Sequence, residues 1–275
     1  SYSVNGDLSI ESDRGLAGFL KNGFRESVRT LYLGKDVTNC RMYDLPNDVP
    51  IPDYYTKEDV LGYDWDGTPY YELWLFDGFF PKEIIVDESN TTFRVINDLL
   101  INIVNNEGAL SESGLDDIVI PDGIQSIAYG AFINHSIKSV KFPSSLKTIG
   151  SGAFENCENL TSIVLPEGVT QLMSDAFSMC TALSNVELPE TLEKIGEYAF
   201  YECAIESIQV PNSVVEIDRS AFHGCQQLKE VYLPARLKKI GSSTFGGCTQ
   251  LVQIDWPDEL ETIVDQAFAD CYSLL

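Results

Sequence analysis

The sequence contains few of the residues and none of the short motifs on which most enzymes depend. Only two histidines, His135 and His223, occur among its 275 residues. The nucleophile motif GxSxG, the phosphate-binding GxxxxGK(S/T), the zinc-binding HExxH and the dinucleotide-binding GxGxxG are all absent. Because catalysis needs a nucleophile, a base or a metal cluster held in one place, we expect a protein that is not an enzyme and has no cofactor and no catalytic residue.

Basic residues and long apolar runs are also scarce. The chain has 18 lysines and arginines against 42 aspartates and glutamates, which gives a net charge of −24. Binding to nucleic acid or to an anionic membrane usually requires a basic surface, so neither is an expected partner. No run approaches the ~18 apolar residues of a membrane-spanning helix, and membrane insertion is therefore not expected. The first residues, SYSVNGDLSIESD, contain no signal peptide, which decides nothing about the compartment.

The most regular feature is a repeat of 22 or 23 residues. Each unit has a proline and, 11 residues later, a phenylalanine, and the length varies only between that phenylalanine and the next proline. The prolines are Pro121, Pro143, Pro166, Pro189, Pro211, Pro234 and Pro257, and the phenylalanines are Phe132, Phe154, Phe177, Phe200, Phe222, Phe245 and Phe268. Seven consecutive units with this spacing indicate a repeat architecture.

Each unit predicts two short strands and a turn. Before the proline, alternating apolar residues such as Leu160, Ile163 and Leu165 are typical of a strand with one buried face, and proline ends that strand because it has no N–H to donate. A second short apolar segment follows, for example 169–172, and then a helical or 3₁₀ turn with the sequence Ala-Phe-x-x-Cys. One unit cannot bury its own apolar edge, so we predict a solenoid in which the units stack with parallel strands.

Six of the seven cysteines occupy one position in these units, and His135 occupies it in the first. Zinc sites and redox pairs favour closely spaced cysteines, whereas here each unit has one. Disulfides between stacked units are within reach, although parallel side chains make the required torsion unfavourable. We favour a ladder of buried thiols, with disulfides and a metal site as alternatives, and expect looser packing at His135. The six are Cys157, Cys180, Cys203, Cys225, Cys248 and Cys271.

The repeat pattern LxxIxLPxxVxxIxxxAFxxC resembles the BspA-like leucine-rich repeats of bacterial surface proteins, and the resemblance covers residues 115–275. It implies a right-handed leucine-rich-repeat-like β-solenoid with short strands and 3₁₀ or helical turns. It also implies a secreted or cell-surface, non-catalytic interaction module, with adhesion or protein binding as its role. A structural spacer that displays another domain is an alternative, since fold does not determine function.

The residues before the regular repeats divide into three expected segments. Residues 1–45 predict an N-terminal cap of a helix, from the helical spacing of apolar residues over 16–28, and a strand within 28–38. Residues 46–80 are an aromatic-rich insertion in which no strand or helix period is visible up to Tyr71. Residues 81–114 resemble the longer, hairpin-bearing unit that often precedes the regular repeats of this family.

The aromatic-rich segment 46–80 is one candidate for ligand binding, because tyrosine and tryptophan offer large flat faces with polar tips. A carbohydrate-binding accessory role through these residues is the alternative to protein binding. The acidic stretch 64–67 only weakly resembles a calcium loop. The candidates are Tyr54, Tyr55, Tyr63, Trp65, Tyr70 and Tyr71, whereas Trp74, Phe76, Phe79 and Phe80 indicate a buried strand.

The outward positions of the repeat strands are the other candidate surface. They are polar and mildly acidic, with Tyr232 as their one aromatic residue, and either solvation or protein binding explains them. The last residues, 271–275, begin another unit, so we also expect self-association through an open edge of the last repeat as one alternative, and a longer protein as the other. The ligand is expected to be a protein or a glycan.

Overall fold

The computed structural model describes residues 115–127 and 130–274 in full, and upstream of them Glu88 and the backbone of eight strands. The chain forms two compact units. The first comprises residues 1–104 with 111–113, and the second comprises residues 105–110 with 114–275.

Seven strands are described in the first unit: β1 (Asp7–Ser12), β2 (Thr30–Asp36), β3 (Val60–Tyr63), β4 (Pro69–Tyr71), β5 (Glu83–Val86), β6 (Phe93–Ile96) and β7 (Leu99–Asn102). β1, β2 and β5 form a parallel sheet in that order, with Leu31 opposite both Leu8 and Ile84. β2 lies where the sequence predicts a strand, and the helix predicted before it lies outside the described residues. β6 and β7 form an antiparallel pair within the segment for which a hairpin was expected.

β3 and β4 pair antiparallel inside the aromatic-rich segment, where the sequence shows no strand period. Val60 lies opposite Tyr71 and Tyr63 opposite Pro69, and the register shifts between Val60 and Gly62. A bulge of this kind inserts an extra residue and interrupts the alternation by which strands are recognised. The segment is therefore not irregular throughout.

The second unit contains two series of strands that alternate along the chain. After β8 (Glu107–Ser111), the three-residue series is β9 (Asp117–Val119), β11 (Ser139–Lys141), β13 (Ser162–Val164), β15 (Asn185–Glu187), β17 (Ser207–Gln209), β19 (Glu230–Tyr232) and β21 (Gln253–Asp255). The two-residue series is β10 (Ser126–Ile127), β12 (Thr148–Ile149), β14 (Gln171–Leu172), β16 (Lys194–Ile195), β18 (Glu216–Ile217), β20 (Lys239–Ile240) and β22 (Thr262–Ile263).

Each series stacks in parallel and in register, so that equivalent residues of successive repeats face each other. Ile163 lies opposite Val186, and Ile149 lies opposite Leu172. The three-residue strands form the sheets β9-β11-β13-β15 and β17-β19-β21, and the two-residue strands form β8-β10-β12-β14-β16-β18 and β20-β22. The predicted parallel β-solenoid is confirmed, with about six turns. Ladder pairing is interrupted between β15 and β17 and between β18 and β20.

A stack of phenylalanine rings runs through the core of the solenoid. Adjacent rings of the seven units lie 4.9–5.8 Å apart between centroids and within 13° of parallel. These separations fall in the range of favourable offset stacking. The first six rings are fully buried, and Phe268 of the last repeat is half-buried. The spacing of the stack follows from the strand ladder, because each repeat places its phenylalanine one rung above the last.

The turn that carries each phenylalanine is not a continuous helix. Hydrogen bonds of three-residue spacing are present, for example from the Cys157 amide to the Phe154 carbonyl at 3.3 Å. However, the residues two before and two after each phenylalanine have positive φ, which interrupts any right-handed helix. No helix in the described part of the chain is long and apolar enough to cross a membrane. The positive-φ residues are Gly130, Gly152, Asp175, Tyr198, Ser220, Ser243 and Gln266 before the ring, and Asn134, Asn156, Met179, Glu202, Gly224, Gly247 and Asp270 after it.

Candidate binding surfaces

The cysteine column lies inside the solenoid and forms hydrogen bonds between repeats. All six cysteines are free thiols, five of them buried and Cys271 half-buried. Each Sγ donates to the carbonyl oxygen of the phenylalanine in the preceding repeat at 3.0–3.3 Å, as Cys203 does to Phe177. Burial raises the pKa of Cys225 to about 12, because a thiolate would lose its hydration there. The Cys225 thiol is therefore protonated, and the buried thiols of the column are shielded from reagents in solution.

The two histidines lie in different repeats and different surroundings. His135, in the cysteine column, is 2% exposed and meets the Phe132 ring edge-on at 6.4 Å between centroids. His135 is thus as buried as the buried cysteines of the column, and the looser packing expected there stays a prediction. His223 is half-buried and stacks on Tyr201 with centroids 5.6 Å apart. Among the described residues, no group of three or more histidine, cysteine or acidic side chains is placed to hold a metal ion.

The three-residue strands present one surface of outward side chains, called here the strand face: the first and third residues of β9, β11, β13, β15, β17, β19 and β21. The middle residue points into the core, as Ile163 and Ile208 show, and most of its outward neighbours are exposed. Three of the outward residues are exposed acids, Asp117, Glu187 and Asp255. The strand face is therefore a regular, mildly acidic surface whose side chains are spaced by the ladder.

Tyr232 is the aromatic residue of the strand face. It is half-buried, and in the ladder it lies between Gln209 on one side and Asp255 on the other. Its hydroxyl donates to Glu230 at 2.8 Å, and this hydrogen bond raises the pKa of Tyr232. The bond holds the ring against the strand, so that Tyr232 presents a fixed aromatic surface beside three polar side chains.

Exposed ion pairs between successive repeats flank the strand face. Lys138 binds Asp116 at 2.8 Å, and Lys229 binds Glu206 at 3.2 Å. Both pairs precede a strand and are well exposed, so solvent screens them and they contribute little to stability. They join neighbouring repeats, and they neutralise four charges that a partner would otherwise meet.

A cluster of aromatic and charged side chains lies at the turns of the fourth and fifth repeats. Tyr198 and Tyr201 meet edge to face at 5.6 Å, and Tyr201 stacks on His223. The Arg219 guanidinium lies 5.8 Å from the centre of the Tyr198 ring and also binds Glu197. This cluster was not predicted from the sequence. Its only sequence signal is that Tyr201 and His223 each follow the repeat phenylalanine, which places them one above the other.

The structure describes only part of the predicted aromatic site. Tyr63 lies in β3, and Tyr70 and Tyr71 lie in β4. The remaining candidates and the acidic stretch 64–67 lie outside the described residues, and so does the strand expected around 74–80. Residues outside the described part are Tyr54, Tyr55, Trp65, Trp74, Phe76, Phe79 and Phe80.

The last described repeat is more exposed than those before it. Ile263 of β22 is 49% exposed, whereas its counterparts Ile240 and Ile217 are buried. Trp256, which takes the place of a buried aliphatic residue, is also exposed and meets Phe268 at 5.5 Å. Self-association through this edge stays a prediction.

Comparison with known proteins adds a family and a set of similar structures. The family model of the BspA type leucine rich repeat region matches residues 105–229 and 147–275, with six copies. A leucine-rich repeat protein from Bacteroides ovatus is 31% identical with a TM-score of 0.59, over 66% of this chain and 50% of that one. The leucine-rich repeat protein of T. pallidum is 29% identical with a TM-score of 0.60, over 66% of this chain and 87% of that one.

A third structure, a leucine-rich repeat protein from Eubacterium ventriosum, shares the fold at 22% identity. Its TM-score is 0.61, over 89% of this chain and 59% of that one. The chain thus spans about half the length of the Bacteroides ovatus protein. No curated protein matches the sequence.

Proposed function

Since the chain belongs to the BspA-type leucine-rich repeat family, we propose that it is a non-catalytic protein-binding module, secreted or held at a bacterial cell surface, with adhesion as its role. The observation that carries the proposal is the strand face. Seven strands hold their outward side chains at fixed spacing, while the core that supports them does not depend on what those side chains are. A repeat protein of this kind can change its outward residues for a partner without losing its fold.

The charge of the strand face supports a protein partner with a basic patch. The exposed acids Asp117, Glu187 and Asp255 outnumber the one outward lysine, Lys141. Opposite charges across an interface accelerate association and select the partner. Tyr232 supports the same proposal, because a tyrosine fixed among polar side chains is typical of residues that dominate binding energy.

A non-catalytic role is supported by the chemistry of the described side chains. Five of the six column thiols are buried, and the histidines lie four repeats apart. Neither arrangement provides the activated nucleophile or the acid–base pair that a reaction needs.

The proposal is tested by measuring binding of the purified chain to a panel of extracellular matrix and serum proteins by biolayer interferometry. Tyr232→Ala should weaken binding to the partner at least about tenfold, as expected for a residue that dominates an interface. Gln171→Ala, on an exposed position of β14 away from the strand face, is the matched control and should bind normally. Antibody labelling of intact cells tests the location. Equal affinity of both variants for the partner would place binding elsewhere and refute the role of the strand face.

A carbohydrate-binding role of the segment 46–80 is a second candidate. It is favoured by the hairpin of β3 and β4, which places Tyr63, Tyr70 and Tyr71 on two paired strands. The pairing brings Tyr63 into the same hairpin as Tyr70 and Tyr71, from which it is separated by several residues of chain. Loss of glycan-array binding in a Tyr63→Ala, Tyr70→Ala double variant, with protein binding intact, would support this candidate. Retention of glycan binding in the double variant would contradict it.

A further inference from the structure

The series of two-residue strands is interrupted between β18 and β20, and a groove of 380 Å³ lies there. Val215 and Ile217 line it on the β18 side, and Lys239, Gly241 and Ser242 line it on the β20 side. Its volume is within the range of about 300–1,000 Å³ that small-molecule sites occupy. The groove lies along the two-residue strands and not on the strand face.

The charged side chains at the groove compensate one another. Lys194 binds both Glu216 at 3.1 Å and Asp218 at 3.0 Å, and Arg219 binds Glu197. Together with the lysine of β20, three cations thus stand beside three carboxylates, in a chain whose net charge is −24. Lys239 forms no ion pair among the described residues, but the six formal charges sum to zero, so a ligand with a net charge meets no net opposite charge here. A neutral polar ligand meets hydrogen-bond donors and acceptors that the ion pairs already hold in place.

An apolar surface accompanies these polar groups. Val215 is 66% exposed, although large exposed apolar side chains have no stabilising role of their own in water. The other six repeats have polar or charged residues at this position: Gln125, Lys147, Thr170, Glu193, Lys238 and Glu261. Tyr198 lies next to the groove beneath Arg219, which lines it. The groove therefore combines fixed hydrogen-bonding groups with an exposed apolar wall and a neighbouring aromatic ring.

We propose that this groove binds a neutral carbohydrate. Sugars present hydroxyl groups that both donate and accept, together with apolar C–H faces, and the groove offers a counterpart to each. The carboxylates of Glu216 and Asp218 would accept hydrogen bonds from hydroxyls, Lys239 and Arg219 would donate, and Val215 would contact a C–H face. This activity goes beyond protein binding through the strand face and does not depend on it.

The experiment uses the whole chain on an array of neutral oligosaccharides, with sialylated and sulfated oligosaccharides as the charged set. Isothermal titration with the strongest neutral binder then compares three variants. Val215→Lys introduces the residue that two other repeats have at this position, and Arg219→Ser introduces the residue that three others have. Val252→Lys is the matched control, because it replaces an exposed valine outside the groove at a position where two other repeats have lysine. Thermal unfolding verifies that all three fold.

We expect binding to neutral members of the array, lowered at least about tenfold by Val215→Lys and by Arg219→Ser and unchanged by Val252→Lys. Because no net charge is involved, affinity should change less than about twofold between about 0.05 M and 0.5 M sodium chloride. Three outcomes would overturn the proposal. They are no binding to any neutral oligosaccharide, neutral binding that both groove variants retain, and a salt-dependent preference for the charged set. Retained binding in the groove variants would indicate that the carbohydrate site lies in the segment 46–80. It would not bear on protein binding through the strand face.

Discussion

Truncation of a ring in the middle of the phenylalanine stack tests how the solenoid is held together. Phe200 is fully buried between Phe177 at 5.8 Å and Phe222 at 5.4 Å. The change Phe200→Ala removes the ring, leaves a cavity and ends two stacked contacts at once. Phe268, which is half-buried with one stacked neighbour, provides a comparison within the same column.

The expected cost follows from burial and from the number of neighbours. Truncation of a buried phenylalanine to alanine costs about 3–5 kcal/mol, and each aromatic pair contributes about 0.5–1.5 kcal/mol beyond its buried area. With full burial and two stacked neighbours, Phe200→Ala should lower the free energy of unfolding by about 4–5 kcal/mol. Phe268 also has two aromatic neighbours, Phe245 stacked and Trp256 edge-on. Because its ring is only partly buried, Phe268→Ala should lower the free energy of unfolding by about 2–3 kcal/mol.

The measurement is urea unfolding followed by far-ultraviolet circular dichroism and by tryptophan fluorescence. Because each repeat contacts only its neighbours, a gap at Phe200 should also weaken the coupling between the two ends of the solenoid. In a Trp65→Phe, Trp74→Phe background, Trp256 is the only remaining tryptophan. It lies beside Phe268 in the last repeat and reports on that end, so we expect the two signals to separate in Phe200→Ala. Phe200→Leu, which keeps most of the volume, is the control and should cost less than about 1.5 kcal/mol.

The reasoning would be refuted if Phe200→Ala cost no more than Phe268→Ala, or if both cost less than about 1 kcal/mol. Either result would mean that the strand ladders hold the repeats together without the stack.

Three further predictions follow from the turns and the cysteine column. In a Cys40→Ser background, a thiol reagent should modify Cys271 in the native protein, and the other five column thiols should react only on unfolding, because they are buried. Fast reaction of all six would contradict the buried column. Met179→Gly should raise the free energy of unfolding by about 0.5–1 kcal/mol, because Met179 is exposed and has φ of 57°. Met173→Gly, at an exposed residue without positive φ, should lower it by a similar amount in the same thermal unfolding assay, and a loss of stability in both variants would exclude strain at Met179. Gly196→Ala should lower the free energy of unfolding in urea by about 2 kcal/mol, because the added Cβ would lie 2.7 Å from the Leu172 carbonyl oxygen. An unchanged free energy would show that the backbone moves to accommodate the methyl group.

The regular part of the fold is predictable because each of its signals is local. Alternating residues such as Leu160, Ile163 and Leu165 define a strand, and the proline that follows ends it. The 22- or 23-residue spacing then requires stacking, because a single repeat cannot bury its apolar edge. The β3–β4 hairpin was not predicted, because its bulge between Val60 and Gly62 interrupts the alternation of apolar and polar residues that indicates a strand.

The candidate surfaces are less predictable because they depend on neighbours that are distant in sequence. The strand face follows from the alternation alone, and Tyr232 could be named from the sequence. The groove between β18 and β20 could not, because it results from an interruption of the ladder that no residue of either strand signals. The cluster of Tyr198, Tyr201 and His223 likewise depends on which side of the turn each ring takes.

By itself the sequence determined the repeat length, the strand positions and the residues of the core, because hydrophobic periodicity and proline act within a few residues of chain. Only the tertiary structure decided how equivalent residues of successive repeats interact. The thiol of Cys203 bonds to a carbonyl 26 residues away, and Lys194 joins two acids of the next repeat. Such contacts depend on the rotamers and turn geometry of two repeats at once, and stacking brings those repeats together only in the folded chain.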